Sequence, residues 1–271
     1  MSIQFQSFGE MDAIEQVQFV KGTIGNEQIR MSVHSFISDG VLIDTGASSL
    51  QAIFKAFFEK HHFEQIALTH YHEDHTGNAA LAQQQTNVPV YIHQMATHLT
   101  TNKPRIPVYR KMLWGDVAPF DSKPYETTFQ SANDRWRVIH TPGHTKDHVA
   151  LLNESKGQLF TGDLYVAPKV KVVLIDENIL DTLDSLKKIQ QLDYDHLFCC
   201  HAGYVQKPKK MVQSKIDFLE DLQGKVLQLA KKGMDVHEIT NTLFPNSYPI
   251  IKASNTEWSP LHIVRAFLNN G

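Results

Sequence analysis

Two hydrophobic rhythms run along the chain. In its first part, short apolar or β-branched runs recur at Gln16–Val20, Ile29–Ile37, Val41–Asp44, Gln65–Thr69, Val90–His93 and Arg135–His140. The series continues with His148–Leu152, Gln158–Thr161 and His196–Cys200, and glycines such as Gly40, Gly143 and Gly203 punctuate it. Runs of this length between turn residues predict strands. Helical spacing appears between them. Ser48–Lys60 puts Leu50, Ile53, Phe54, Phe57 and Phe58 on one face behind a serine cap. Thr76–Gln85 and Ile179–Leu192 follow the same rule. Strands in two batches, interleaved with helices, predict an α/β sandwich in which helices cover a sheet face.

After Val205 the pattern becomes helical throughout. Val212, Ile216, Leu219, Val226 and Leu229 form an apolar stripe that ends at Gly233. Asp235 and Glu238 make a capping-box pair, and Ser259-Pro260 opens a last helix. The expected organisation is a catalytic domain over residues 1–205 and a helical accessory region over 206–271. Between Gly203 and Gly233 there are seven lysines and three acids. They read as a solvated helix face, with a site for a phosphate-bearing partner as the alternative.

Composition narrows the class. With 271 residues, 42% hydrophobic and 20% charged, the chain is neither mainly disordered nor fibrous. At this size about 75% of the unfolded surface is buried, enough for a substantial core. A net charge of −3 argues against a protein that coats nucleic acid with its whole surface. No apolar run approaches the ~20 residues of a membrane span. Glu10, Asp12 and Glu15, with no basic start and no apolar core, argue against a secretory signal in the opening segment. The only cysteines, Cys199 and Cys200, are adjacent, which excludes a disulfide framework and suits a reducing, cytoplasmic location. The 15 histidines remain to be explained.

Their positions explain part of the excess. The run Thr69-His70-Tyr71-His72-Glu73-Asp74-His75 has an H-x-H-x-D-H spacing that chance would supply in about three such chains per thousand. It begins where a predicted strand ends. In such a turn, residues two apart can converge on one ion while Asp74 and His75 face a neighbouring position. Imidazole and carboxylate are the ligand types that hold Zn²⁺ or a similar ion without thiols. His144, Asp163 and His201 each follow a predicted strand, with a glycine close by. Seven such donors suit two ions better than one.

In this order the residues resemble the metallo-β-lactamase superfamily signature, and Leu42-Ile43-Asp44-Thr45-Gly46 resembles that family's first motif. The resemblance covers about residues 15–205. It implies an αβ/βα four-layer sandwich (α/β class, the metallo-β-lactamase fold) with a small C-terminal helical extension. It also implies one ion on His70, His72 and His144 and another on Asp74, His75 and His201, with Asp163 bridging. Asp44 would orient a ligand, and His148 is either a similar support or a plain strand residue. The implied cofactor is two Zn²⁺ per chain, with iron or manganese as alternatives.

Two cations ~3.5–4 Å apart lower the pKa of a shared water and deliver hydroxide to an electrophilic carbon or phosphorus. Asp74 is then placed to pass a proton to the leaving group. The expected function is a metal-dependent hydrolase of a small ester, thioester or lactone. The alternatives are a metal-dependent endoribonuclease or phosphodiesterase of the same superfamily and, behind it, an iron-dependent redox enzyme. The expected partner is a small molecule, with nucleic acid less favoured and no membrane. Tyr109 and Trp114, in the amphipathic stretch Tyr109–Gly115, are candidate pocket walls, with a core-covering helix as the alternative.

Overall fold

The computed structural model describes residues 6–26 and 30–269; Ile29, the start of one predicted run, lies outside them. The chain forms two compact units. The first takes in the chain up to 140, then 147–166 and 193–206. The second takes in 141–146, 167–192 and 207 onward.

Two sheets build the first unit. One has seven strands in the spatial order Gln6–Ile14, Val17–Gly25, Arg30–Ser38, Val41–Ile43, Gln65–Ala67, Val90–Ile92 and Lys123–Pro124. Its first four strands are antiparallel; from Val41–Ile43 onward neighbours run parallel. The other has six, ordered Gly203–Val205, His196–Cys199, Gln158–Phe160, Val149–Asn153, Arg135–His140 and Thr128–Gln130. Within it, only the pair Gln158–Phe160 and His196–Cys199 is parallel.

The period of two decides where each side chain goes. Val41 and Ile43 pack with Phe36 and Ala67 against Trp136, Leu151, Phe160 and Phe198 of the second sheet. Leu42, between them, joins a cluster with Val20, Val33 and Ile66. That cluster is completed by Leu50, Phe54 and Phe57 from the helical segment that ends at Lys60, and by Ala79 and Ala82 of the helix Ala79–Thr86. The strand Gln6–Ile14 is not among those the pattern predicts, because it is a sheet edge exposed along nearly its whole length. It carries no apolar alternation for a pattern to find.

The site lies where strands stop. Val41–Ile43 leads into Asp44, Gln65–Ala67 into the histidine motif, Gln158–Phe160 toward Asp163 and His196–Cys199 toward His201. All four belong to parallel pairs, whose carboxyl ends carry the ligand loops in α/β sheets. Two backbone bonds tie the sheets together there: Val149 N donates to Thr69 O at 2.8 Å, and His34 N to Cys200 O at 2.8 Å.

In the second unit the helices Ile179–Gln190, Pro208–Lys231, Val236–Leu243 and Pro260–Asn269 pack together. Asn178 caps the first, and Asp235 with Glu238 forms a capping box on the third. Segment 141–146 is held here by Ser185 Oγ on Pro142 O at 2.7 Å and Asn178 N on Gly143 O at 2.8 Å. Several lysines of the long helix are engaged within the unit: Lys209 on Gln190 O, Lys225 on Asp221, and Lys215 buried. Among the described residues no helix is long and apolar enough to cross a membrane.

Candidate metal centre

The strand Gln65–Ala67 ends two residues short of Thr69, and His70, fully buried, begins the turn that follows. His72 is the cap residue of a single helical turn, Glu73–Thr76. Its carbonyl receives His75 N at 3.0 Å and Thr76 N at 2.9 Å. Thr45 fixes the far end, donating N–H and Oγ to His75 O at 2.7 and 2.8 Å. Gly46 makes this closure feasible: its φ is +67°, and a Cβ there would stand 2.2 Å from the Phe54 ring.

Asp74, His75, Asp163 and His201 present ligand atoms that all lie within 4.8 Å of one another. His201 Nε2 is 3.2 Å from Asp163 Oδ2 and 3.4 Å from Asp74 Oδ2; His75 Nε2 is 3.3 Å from Asp163 Oδ1. Both imidazoles are held from behind. His75 Nδ1 meets Asp44 Oδ2 at 2.7 Å, and His201 Nδ1 meets Ser32 O at 2.8 Å. A carboxylate and a carbonyl only accept, so Nδ1 carries the proton in both rings and Nε2 faces the cluster. His75 Nε2 is buried there without a hydrogen bond.

Asp44 is at φ +56°, a conformation aspartate tolerates better than most residues. Its Oδ1 accepts Thr69 N at 2.8 Å, so one carboxylate steadies both His75 and the residue before His70. His148 is fully buried and accepts the Asp163 N–H on Nε2 at 3.1 Å. His70 Nε2 lies 3.0 Å from His72 Nδ1, and the His70 ring lies 4.0 Å from that of His75. His144 belongs to the second unit, where Nδ1 is 3.3 Å from Glu177 Oε2.

The electrostatics suit a cation. Burial works against charge on Asp74 and Asp163, yet the neighbouring histidines hold both carboxyls below the usual range, Asp163 far below. Burial likewise works against charge on His75 and His201, yet the surrounding acids raise both well above the usual histidine value. The cluster thus recruits positive charge to balance two buried carboxylates. A divalent ion answers the same need while displacing those protons. Cys200 also lies near Asp44 and His75; burial pushes its thiol up to about 11, so the group is neutral at neutral pH before any metal binds.

Two features were invisible in the sequence. Arg110 grips Glu73 with two bonds, Nε to Oε1 at 2.6 Å and a terminal nitrogen to Oε2 at 2.7 Å. This fastens the helix Val108–Trp114 to the motif turn. Glu177, behind His144, is the other. Trp114, singled out as a pocket wall, lies with its ring 6.3 Å from that of His201; Tyr109 is half-buried on the same helix.

The model of the metallo-beta-lactamase superfamily matches residues 38–201, more than half of the chain, and the chain belongs to that superfamily. It is 24% identical over 216 residues to the Beta-lactamase-like protein 2 homolog of Caenorhabditis elegans, covering 76% of this chain and 68% of that protein. It is 27% identical over 153 residues to an atrochrysone carboxyl ACP thioesterase of Passalora fulva, covering 55% of this chain and 40% of that one. A metallo-beta-lactamase family protein from Thermus thermophilus superposes with a TM-score of 0.69 at 19% identity, covering 95% of this chain and 94% of that one. The fold is the metallo-β-lactamase α/β sandwich.

Proposed function

We propose that this superfamily hydrolase uses two divalent metal ions to cleave a small ester, thioester or lactone. The observation that carries the reading is the convergence of Asp74, His75, Asp163 and His201 within 4.8 Å, with both imidazoles locked from behind. The donor set fits such ions: hard carboxylate oxygens and imidazole nitrogens suit zinc, and also iron or manganese. His75, His201 and Asp74 would hold one ion; His70, His72 and His144, taken from the family's motif order, would hold the other, and Asp163 would touch both. When bound, such a pair supplies Lewis acidity and a nucleophilic water at neutral pH.

The protein's own groups do the rest. Asp44 and the Ser32 carbonyl hold Nε2 of His75 and His201 on the site. His148 fixes the Asp163 loop through the Asp163 N–H. Asp74, mostly buried and ionised, is the group placed to take a proton and return it to the leaving group. Trp114 stands beside His201, its ring 6.3 Å from the imidazole. The thioesterase among the relatives supports an acyl substrate.

The test is metal analysis of the purified protein together with a panel of lactone, thioester and phosphodiester substrates. Hydrolysis of the acyl substrates that is lost on chelation and restored by Zn²⁺ is the expected result. Cleavage confined to phosphodiesters would replace this reading with the nuclease one.

A further inference from the structure

A cavity of about 250 Å³ shares a wall with the metal motif. Tyr71, between His70 and His72, and Thr76, next to His75, form that wall; Leu99, Pro104, Val117 and Phe120 form the others. Thr76 Oγ1 donates to His72 O at 3.0 Å and Thr100 Oγ1 to Thr97 O at 2.9 Å. Both hydroxyls are thus engaged with backbone carbonyls; His98, Asn102 and Lys103 are the other polar residues of a lining that is otherwise apolar. Lys103, also on the lining, is paired with Asp116 at 3.3 Å, a carboxylate that Lys111 contacts as well at 2.8 Å.

A second observation concerns exposure. Eight large apolar side chains are exposed among the described residues, and five of them, Tyr71, Met95, Leu99, Val108 and Met112, lie in the motif turn or the stretch 95–112. Two of them, Tyr71 and Leu99, line the cavity, and exposed apolar side chains at a pocket mark a place where ligand, not water, is the intended neighbour.

We infer that this cavity is the subsite for the apolar acyl part of the substrate, an unbranched or aromatic group larger than a benzene ring. Its volume sets the size. A cavity of ~150 Å³ accommodates benzene, so this one takes an acyl chain of about eight carbons. The inference rests on the hydrolase reading for its role and on the cavity alone for binding, and the two parts are separable.

The experiment has two arms on the metal-containing protein. One measures binding of 1-butanol, 1-hexanol and 1-octanol by displacement of an apolar fluorophore, which requires no turnover. The other compares kcat/KM on p-nitrophenyl acetate, hexanoate, octanoate and decanoate. Each is repeated in Leu99→Trp, which fills the cavity, and Leu99→Asp, which makes it polar; Leu99 is 38% exposed, so neither change disrupts a core. Alcohol affinity should rise about fourfold per methylene. Both variants should lower octanol affinity and the octanoate-to-acetate ratio of kcat/KM at least tenfold. Chain-length-dependent binding that Leu99 controls, without ester hydrolysis, would uphold the subsite and defeat the hydrolase reading. Hydrolysis without chain-length preference, or octanol binding untouched by both variants, would overturn the subsite and leave the hydrolase reading standing. Neither binding nor hydrolysis would overturn both.

Discussion

Asp44 Oδ2 lies 2.7 Å from His75 Nδ1, while its other oxygen receives the Thr69 backbone N–H at 2.8 Å. A carboxylate can serve both partners because both of its oxygens accept. An amide has one acceptor oxygen, so Asp44→Asn must turn an NH₂ group toward one of them. That favours the wrong His75 tautomer or pushes the ring aside. Affinity for Zn²⁺, measured by competition with a chromophoric chelator, is expected to fall about 10–100-fold. An unchanged affinity would show that Asp44 does not orient the site.

The bond between Arg110 and Glu73 is a stability feature as well as a positional one. Both side chains are largely buried, at 16% and 5% exposure, and burial raises the Glu73 carboxyl even with Arg110 beside it. Arg110→Ala leaves that carboxylate uncompensated and should cost about 3–5 kcal/mol in urea unfolding. The double change Glu73→Gln with Arg110→Gln should cost less than Arg110→Ala alone. A double variant as unstable as Arg110→Ala would mean the pair is not coupled.

How much of this was legible follows from distance along the chain. The six-residue motif could be read because its ligands are neighbours in sequence, and Asp44 because Leu-Ile-Asp-Thr-Gly stands at a strand end. Arg110 lies 37 residues from Glu73 and Glu177 lies 33 from His144. No local pattern joins them; only the fold does. The exposed edge strand Gln6–Ile14 was missed because hydrophobic period reports burial, and an element buried on neither face has none. The lysine excess between Gly203 and Gly233 stands; within their own unit Lys209 meets the Gln190 carbonyl and Lys225 the Asp221 carboxylate.

His34 should make the fold acid-sensitive. It is buried, stacked on Phe36 with ring centroids 5.8 Å apart, and its Nδ1 is 2.7 Å from Cys200 O. Burial, above all, lowers its pKa from 6.5 to about 4. The unfolded chain therefore binds a proton below pH 6.5 that the folded chain refuses until about pH 4. Stability from this group is complete above pH 6.5 and is lost as pH falls toward 4. The loss should reach about 2–3 kcal/mol by about pH 4.5. With metal chelated in both proteins, His34→Gln should show a shallower decline than the parent over this window. Parallel curves would contradict the assignment.

Gly46 is expected to be intolerant of any side chain. Its positive φ and the 2.2 Å approach of a Cβ to Phe54 act together. Gly46→Ala should lower the unfolding midpoint by an amount worth more than about 1 kcal/mol. It should also weaken metal retention, since Thr45 anchors His75 next door. A variant of parental stability would show that the Phe54 ring yields freely.

The most direct measurement is metal stoichiometry followed on one sample with acyl-ester turnover, through chelation and stepwise return of Zn²⁺. No turnover is expected in the stripped protein. Activity should return with the added ion and saturate near two per chain, and His201→Ala should fail to recover it. Full turnover by protein verified to be metal-free would rule out metal-dependent hydrolysis at this site.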